Sequence, residues 1–263
     1  VYPLSFDEYQ RHHRAQGTTD STDRLFSKYM MFGGMPGLFA TGQPDQGKAT
    51  EILTSIYESI VMKDVAGRYG IRDIATLEKL SRYLFSTSGN LFSVNNVANT
   101  LASAGANASY ATVDNQISAL ERSFIVYSAQ QERMRGKELL RPQRKFYPVD
   151  NGFRNLATGF NGSDRGAQLE GIVFMELQRR GYDVTIGSLP DGEIDFIAKR
   201  GNDKQYIQVT LNMTEEQTRE RELAPLRRLG DAFPRTVLTL DWHSEGMTDE
   251  GIHITNVMDW LCS

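Results

Sequence analysis

From Arg165 onward the chain alternates between helical and extended patterns, in an order that restricts the folds open to it. The segment RGAQLEGIVFMELQRRGY carries Leu169, Val173 and Leu177 at helical spacing and stops at Gly181. Three short strand patterns follow, DVTIGSLP, EIDFIAKR and QYIQVTLN, then a charged helical stretch, the apolar strand RTVLTLD and a short helix near the end. The order helix–strand–strand–strand–helix–strand predicts an α/β domain over residues 155–263.

The first half of the chain has mainly helical periodicity and ends in two strand patterns. Helices are predicted over about 48–69, 76–85, 93–105 and 109–124, and the strands IVYSAQQER and ELLRPQRKFYPVD flank a turn at 134–137. Helices followed by a two-stranded ribbon are the order of a winged helix-turn-helix, which we place at residues 48–154.

The segment before residue 48 is too poor in periodic apolar residues to form a domain. Asp20 or Ser21 is expected to cap a short helix that runs through Met31, and FGGMPGLFATGQP then breaks it. We interpret residues 1–47 as a helical remnant and connector. Residues 155–163 are polar and contain glycine, which is typical of a linker.

Composition limits the class of protein. The only cysteine among the 263 residues is Cys262, so no intramolecular disulfide can form, and no apolar run reaches the roughly 20 residues of a membrane-spanning helix. We therefore expect a cytoplasmic protein without a membrane partner. The net charge of −4 argues against a dedicated nucleic-acid-binding protein, although a local basic patch is compatible with it.

The predicted ribbon holds such a basic patch. If the winged helix reads duplex DNA, the segment SYATVDNQISALERSF is the recognition helix, with these residues exposed: Tyr110, Thr112, Asn115 and Gln116. The ribbon adds cations for phosphate contacts: Arg133, Arg135, Lys137, Arg141, Arg144 and Lys145. Asp114 and Glu121 on the same helix would repel phosphate. DNA contact and packing against another protein domain both remain open.

Polar residues recur within the second predicted domain. Glu170 lies on its first helix and Asp195 on its second strand. Strand alternation predicts that Glu193, Asp195 and Ile197 share one face of that strand, and that Tyr206, Gln208 and Thr210 share one face of the next. If the polar faces align, Glu170, Asp195 and Gln208 meet at one site.

This element order and these residues resemble the restriction-endonuclease-like fold known as PD-(D/E)XK. The resemblance implies a helix acid, an acid on the second strand and an acid-x-lysine pair on the third, with Mg²⁺ or Mn²⁺ as cofactor. It would make Glu170 and Asp195 the metal ligands. Tyr206 stands in place of the third acid and Gln208 in place of the lysine. The predicted catalytic centre, Glu170, Asp195 and Gln208, is therefore incomplete, and these residues are either vestigial or part of a hydrogen-bonded polar face.

The motifs YPLSF, GGMPG and GEIDF with YIQV, together with the element order, resemble the C-terminal part of a prokaryotic family of AAA-type ATPases. In that family a nucleotide-binding core precedes a lid, a winged helix and a nuclease-like domain. The chain contains no glycine-rich phosphate loop with its lysine, so we assign ATP only to a full-length parent protein.

Three functions follow as expectations. The chain is an accessory region of an AAA-type ATPase that binds DNA or a partner protein, a metal-dependent DNA endonuclease that uses Glu170, Asp195 and Gln208, or a structural and regulatory module for the ATPase core.

Overall fold

The structure, a computed structural model, describes residues 2–39, 45–106, 108–133, 143–162, 164–190 and 192–263. Within these ranges the fold is mixed α/β, with ten α-helices and nine strands. The helices are α1 (Phe6–Ala15), α2 (Thr22–Phe32), α3 (Gln46–Ser59), α4 (Ile74–Ser86), α5 (Val94–Ser103), α6 (Tyr110–Arg122), α7 (Asn151–Thr158), α8 (Arg165–Arg179), α9 (Glu216–Arg227) and α10 (Val257–Cys262). The strands are β1 (Leu91–Phe92), β2 (Val126–Arg133), β3 (Arg144–Pro148), β4 (Asp183–Leu189), β5 (Gly192–Arg200), β6 (Asp203–Thr210), β7 (Arg235–Thr239), β8 (Gly246–Met247) and β9 (His253–Asn256).

Small polar side chains start several of the helices, as the sequence predicted. Ser21 accepts a hydrogen bond from the amide of Arg24 at the start of α2, and Ser93 accepts one from Asn96 at the start of α5. Such caps satisfy amides that have no partner within the helix. No helix in the described ranges has both the length and the apolar surface that crossing a bilayer requires.

The nine described strands form one continuous sheet in the order β1-β3-β2-β4-β5-β6-β7-β9-β8. Strand β2, predicted for the winged-helix ribbon, pairs in parallel with β4, the first strand predicted for the nuclease-like domain. The sheet therefore crosses the predicted boundary at 154/155 without interruption. The two-residue strands β1 and β8 lie at its edges, and short edge strands leave few unpaired backbone groups for other chains.

The predicted linker at 155–163 is wrong in its first half, because α7 continues to Thr158. Asn155 is buried, and its side-chain amide donates to the carbonyl oxygens of Met30 at 2.9 Å and Met31 at 2.8 Å. These carbonyls belong to the last turn of α2, where a helix lacks internal donors. The N-terminal segment is thus bonded directly to the middle of the chain.

Replacing Asn155 with alanine is expected to lower the free energy of unfolding by about 1–3 kcal/mol, because two carbonyls lose their shared donor. Urea unfolding measures this change. The matched control is Asn161→Ala, an exposed asparagine six residues along that donates to Thr158 and should change stability by less than about 0.5 kcal/mol. Equal effects of the two substitutions would contradict the capping role.

Two hydrophobic clusters cover opposite faces of the central strands. The larger one joins the helical half of the chain to α8 and includes Phe196 and Ala198. The smaller one lies under α9 and includes Ile194 and Ile197. An extra residue in β5 causes this arrangement, since Ile194 pairs with Gly187 and Ile197 with Thr185. The simple alternation predicted for β5 is therefore wrong, as a β-bulge shifts the facing of its residues.

Candidate functional site

A buried lysine of β3 lies among three carboxylates, one from α8 and two from β5. Lys145 is only 5% exposed; its ammonium is 3.3 Å from Glu170 Oε1 and contacts the carboxylate of Glu193. Tyr147, two residues along β3 and hence on the same face, donates its hydroxyl to the same Glu170 oxygen at 2.6 Å. We name Lys145, Glu170, Glu193 and Asp195 the lysine–carboxylate cluster.

The charges in this cluster are strongly coupled. Burial lowers the pKa of Lys145, but Glu170, Glu193 and Asp195 together outweigh burial, so its pKa lies above the ordinary value. Burial raises the pKa of Glu170, and Lys145 only partly offsets this effect. Burial and the charge of Glu170 hold the pKa of Asp195 well above its usual range. The ammonium is therefore the cation that stabilises these carboxylates in a partly buried position.

Asp195 and Gln208 connect β5 to β6 through their side chains. Backbone pairing of the two strands reaches Phe196 opposite Ile207. Beyond that pair, Asp195 Oδ2 accepts from the amide of Val209 at 2.8 Å, and Gln208 Oε1 accepts from the amide of Asp195 at 3.4 Å. Their side chains thus satisfy backbone amides where the strands separate.

Gln208 also reaches away from Asp195. Its side-chain amide donates to Glu222 Oε2 on α9 at 3.1 Å. Tyr206, placed by the sequence at the position of the third acid, instead donates its hydroxyl to Asp231 at 2.5 Å. In the register of the two strands Tyr206 lies opposite Ile197, and the side chain that bonds the Asp195 amide is that of Gln208.

The arrangement does not suit Mg²⁺ or Mn²⁺. Glu170 and Asp195, the two predicted ligands, lie beside the ammonium of Lys145, which would repel a divalent cation. Within the described part of the chain, no three His, Cys, Asp or Glu side chains are grouped to hold a metal ion. Gln208 offers one amide oxygen, which already accepts a hydrogen bond from Asp195.

The residues predicted to contact DNA differ in how far they are exposed. Tyr110 and Asn115 are exposed and Thr112 is half-buried, but Gln116 is buried, because it lies on the face of α6 that packs into the core. Its predicted exposure is wrong. Arg144 pairs with Asp114 and Glu121, each at 3.5 Å.

The predicted position of Lys145 on an exposed basic ribbon is also wrong, since its ammonium is turned into the lysine–carboxylate cluster. Arg133 ends β2. The other three cations of the predicted patch lie outside the described residues: Arg135, Lys137 and Arg141.

A cleft of about 520 Å³ opens beside the lysine–carboxylate cluster, between the first turns of α8 and α9 and the loop that follows α4. We name it the acidic cleft. Its lining residues are Ser88, Gly89, Asn90, Asp164, Gly166, Ala167, Glu170, Val209, Thr210, Leu211, Asn212, Glu215, Thr218, Arg221 and Glu222.

Sequence reasoning missed three participants in this region. Lys145 and Tyr147 come from the predicted ribbon, and Glu222 comes from the predicted charged helix. The pattern Lys145-x-Tyr147 on a predicted strand already placed both side chains on one face. Their partner could not be predicted without the pairing of β2 with β4.

Comparison with known proteins gives a family and relatives. The chain is 34% identical over 261 residues to an uncharacterized protein of Haemophilus influenzae, a match that covers 99% of this chain and 64% of that protein. It is 26% identical over 234 residues to an uncharacterized protein of Methanocaldococcus jannaschii, covering 85% of this chain and 51% of that protein. The chain therefore spans less than two thirds of the length of either relative. No solved structure matches.

The family match covers the N-terminal segment beyond residue 22, the helices α2–α7 and the ribbon. Residues 23–164, more than half of the chain, match the family described as a domain of unknown function, DUF8612. The chain belongs to the DUF8612 family.

Proposed function

We propose that the chain is a non-catalytic accessory region of an AAA-type ATPase, and that it binds a partner protein. The helices α4–α6 with β2 and β3 serve as a winged-helix-like part, and the segment from α8 to β7 is a PD-(D/E)XK-like part without activity. One observation carries the absence of catalysis in this proposal: the ammonium of Lys145 is paired with Glu170, a carboxylate that a nuclease would use for metal, and with the neighbouring Glu193. The ammonium of Lys145 takes the place that a bound metal ion would have beside Glu170.

A partner protein is favoured over DNA by the state of the basic residues. Arg144 is paired with two carboxylates, and Lys145 is buried among three. Cations that are already neutralised by acids contribute little to phosphate binding. Glu215, the unpaired carboxylate among the described lining residues of the acidic cleft, would moreover repel a nucleic-acid backbone.

One observation favours the second candidate, a metal-dependent DNA endonuclease that uses Glu170, Asp195 and Gln208. The third strand lacks the lysine expected by resemblance, yet Lys145 brings an ammonium to Glu170 from a different strand. In that case Glu170 and Asp195 would hold the divalent cation, and Lys145 would orient the attacking water. The third candidate is a structural and regulatory module for the ATPase core.

Plasmid DNA incubated with the chain and Mn²⁺ or Mg²⁺ separates these candidates. We expect no nicking above the buffer control, and no mobility shift of duplex DNA at low salt. Asp195→Asn, which keeps an acceptor for the Val209 amide, should behave like the unaltered chain, as should Asp183→Asn at the exposed start of β4. Nicking that is lost in Asp195→Asn but kept in Asp183→Asn would overturn the proposal and establish the endonuclease.

A further inference from the structure

Four carboxylates line the acidic cleft: Asp164, Glu170, Glu215 and Glu222. The one cation among the described lining residues is Arg221, and its guanidinium lies 2.7 Å from Glu222 Oε1. The side chain of Glu215 has neither an ion pair nor a hydrogen bond within the described ranges. Asp164 pairs with Arg154 and Glu170 with Lys145, so the unpaired carboxylate among the described lining residues is that of the exposed Glu215.

A second observation at the cleft is independent of its charge. Ser88 lines the cleft and is only 2% exposed, and its hydroxyl has no hydrogen-bond partner among the residues that the structure describes. Buried hydroxyl groups nearly always have a partner, so an unpartnered one beside a cleft indicates a polar group of a ligand.

The loop that carries Ser88 packs closely against Glu170. Gly89 has a φ of +81°, a backbone conformation that favours glycine, and a Cβ at this position would lie 3.3 Å from both carboxylate oxygens of Glu170. The absence of a side chain brings Ser88 and the carboxylate to the same wall of the cleft.

We propose that the acidic cleft receives an arginine or lysine side chain from a basic segment of the partner protein. This inference rests on the proposed function, since it names the chemistry of that partner. A cationic side chain offers only donors, which match the free carboxylate of Glu215 and the unpartnered hydroxyl of Ser88. A cleft of about 520 Å³ lies within the range of specific binding pockets.

The test uses the full chain and a fluorescein-labelled hexapeptide of alternating arginine and glycine, followed by fluorescence anisotropy. We expect binding that a matched glutamate–glycine peptide does not show. Glu215→Gln and Ser88→Ala should each weaken binding about fivefold, the effect of losing one partly exposed charged contact. Ser88→Ala should leave thermal stability unchanged, because the hydroxyl has no partner to lose.

The control is Glu216→Gln, which removes the same charge one residue along the chain, outside the cleft lining. It should weaken binding less than about twofold, as expected for long-range attraction alone. Absence of peptide binding, or equal loss in Glu215→Gln and Glu216→Gln, would overturn the cleft as a binding site. Either result of the peptide assay would leave the proposed function unchanged, provided that the plasmid assay shows no cutting. The proposed function itself is overturned only by Asp195-dependent nicking of the plasmid.

Discussion

Replacing Lys145 with methionine is expected to lower the free energy of unfolding by about 3–5 kcal/mol, the usual cost of removing one partner from a buried ion pair. The methionine fills a similar volume, so packing changes little. What is lost is the ammonium beside Glu170 and Glu193, and these partly buried carboxylates then face one another without compensation. Urea unfolding at neutral pH measures the change.

The same substitution is expected to make stability more sensitive to pH. Lys145 lowers the pKa of Glu170 and of Asp195, so its removal raises both further above their unfolded values. A carboxyl group whose pKa is higher in the folded protein than in the unfolded chain stabilises the fold fully at pH values below its unfolded pKa. This contribution is lost as pH rises through its folded pKa. The deficit of Lys145→Met should therefore grow as pH rises above the unfolded carboxyl pKa values of about 4.

Arg144→Met is the matched control for this prediction. The neighbouring arginine also pairs with two carboxylates, but its side chain and theirs are partly exposed, and such pairs contribute at most about 1 kcal/mol. If Lys145→Met proves no more damaging than Arg144→Met, Lys145 is not the counterion of the buried acids. The argument against metal binding at this site then fails too.

Local patterns predicted most of the elements. Ser93 caps α5 as expected, because a serine before an apolar helical stripe satisfies an orphan amide. The order from α8 to β7 also follows the prediction, since helical and extended periodicities are distinct within short windows. Both kinds of evidence lie within a few residues of the element that they predict.

Pairing between distant strands could not be predicted in this way. The parallel pairing of Gln130 with Thr185 joins segments 55 residues apart, and no local pattern marks it. The bulge opposite Gly187 is equally hidden, although a Cβ at Gly187 would lie 2.9 Å from that of Ile194, so only glycine fits without a shift. These two features decide which side chains reach the site.

The candidate site was accordingly predicted in part. Alternation and resemblance placed Glu170, Asp195 and Gln208 near one another, and the structure brings each of them to the same region of the sheet. The sequence places Lys145 among the cations of the ribbon that would contact phosphate. Its burial depends on the β2–β4 pairing, which places three acids around it.

Asp150 joins the N-terminal segment to α7 by accepting from one backbone amide of each, and Asp150→Ala is the second substitution with a large expected effect. The carboxylate is 5% exposed and accepts from Gly34 and Gly152, each at 2.7 Å. The connector fits closely against it, because a Cβ at Gly33 would overlap the carboxylate. Alanine leaves two buried amides without partners, each costing about 1–3 kcal/mol, so we expect a loss of about 2–5 kcal/mol.

The pH dependence of that loss identifies its cause. Burial raises the pKa of Asp150 to about 6, and the bonds from Gly34 and Gly152 offset this only in part. Because the folded pKa is raised, the carboxyl group stabilises the fold fully below its unfolded pKa and less as pH rises through about 6, so Asp150→Ala should cost more at low pH than at neutral pH. Asp73 caps α4 in solvent, and bonds from Thr76 lower its pKa, so the cost of Asp73→Ala should change with pH in the opposite direction. Parallel pH profiles for the two variants would show that Asp150 is an ordinary exposed cap and does not hold the connector.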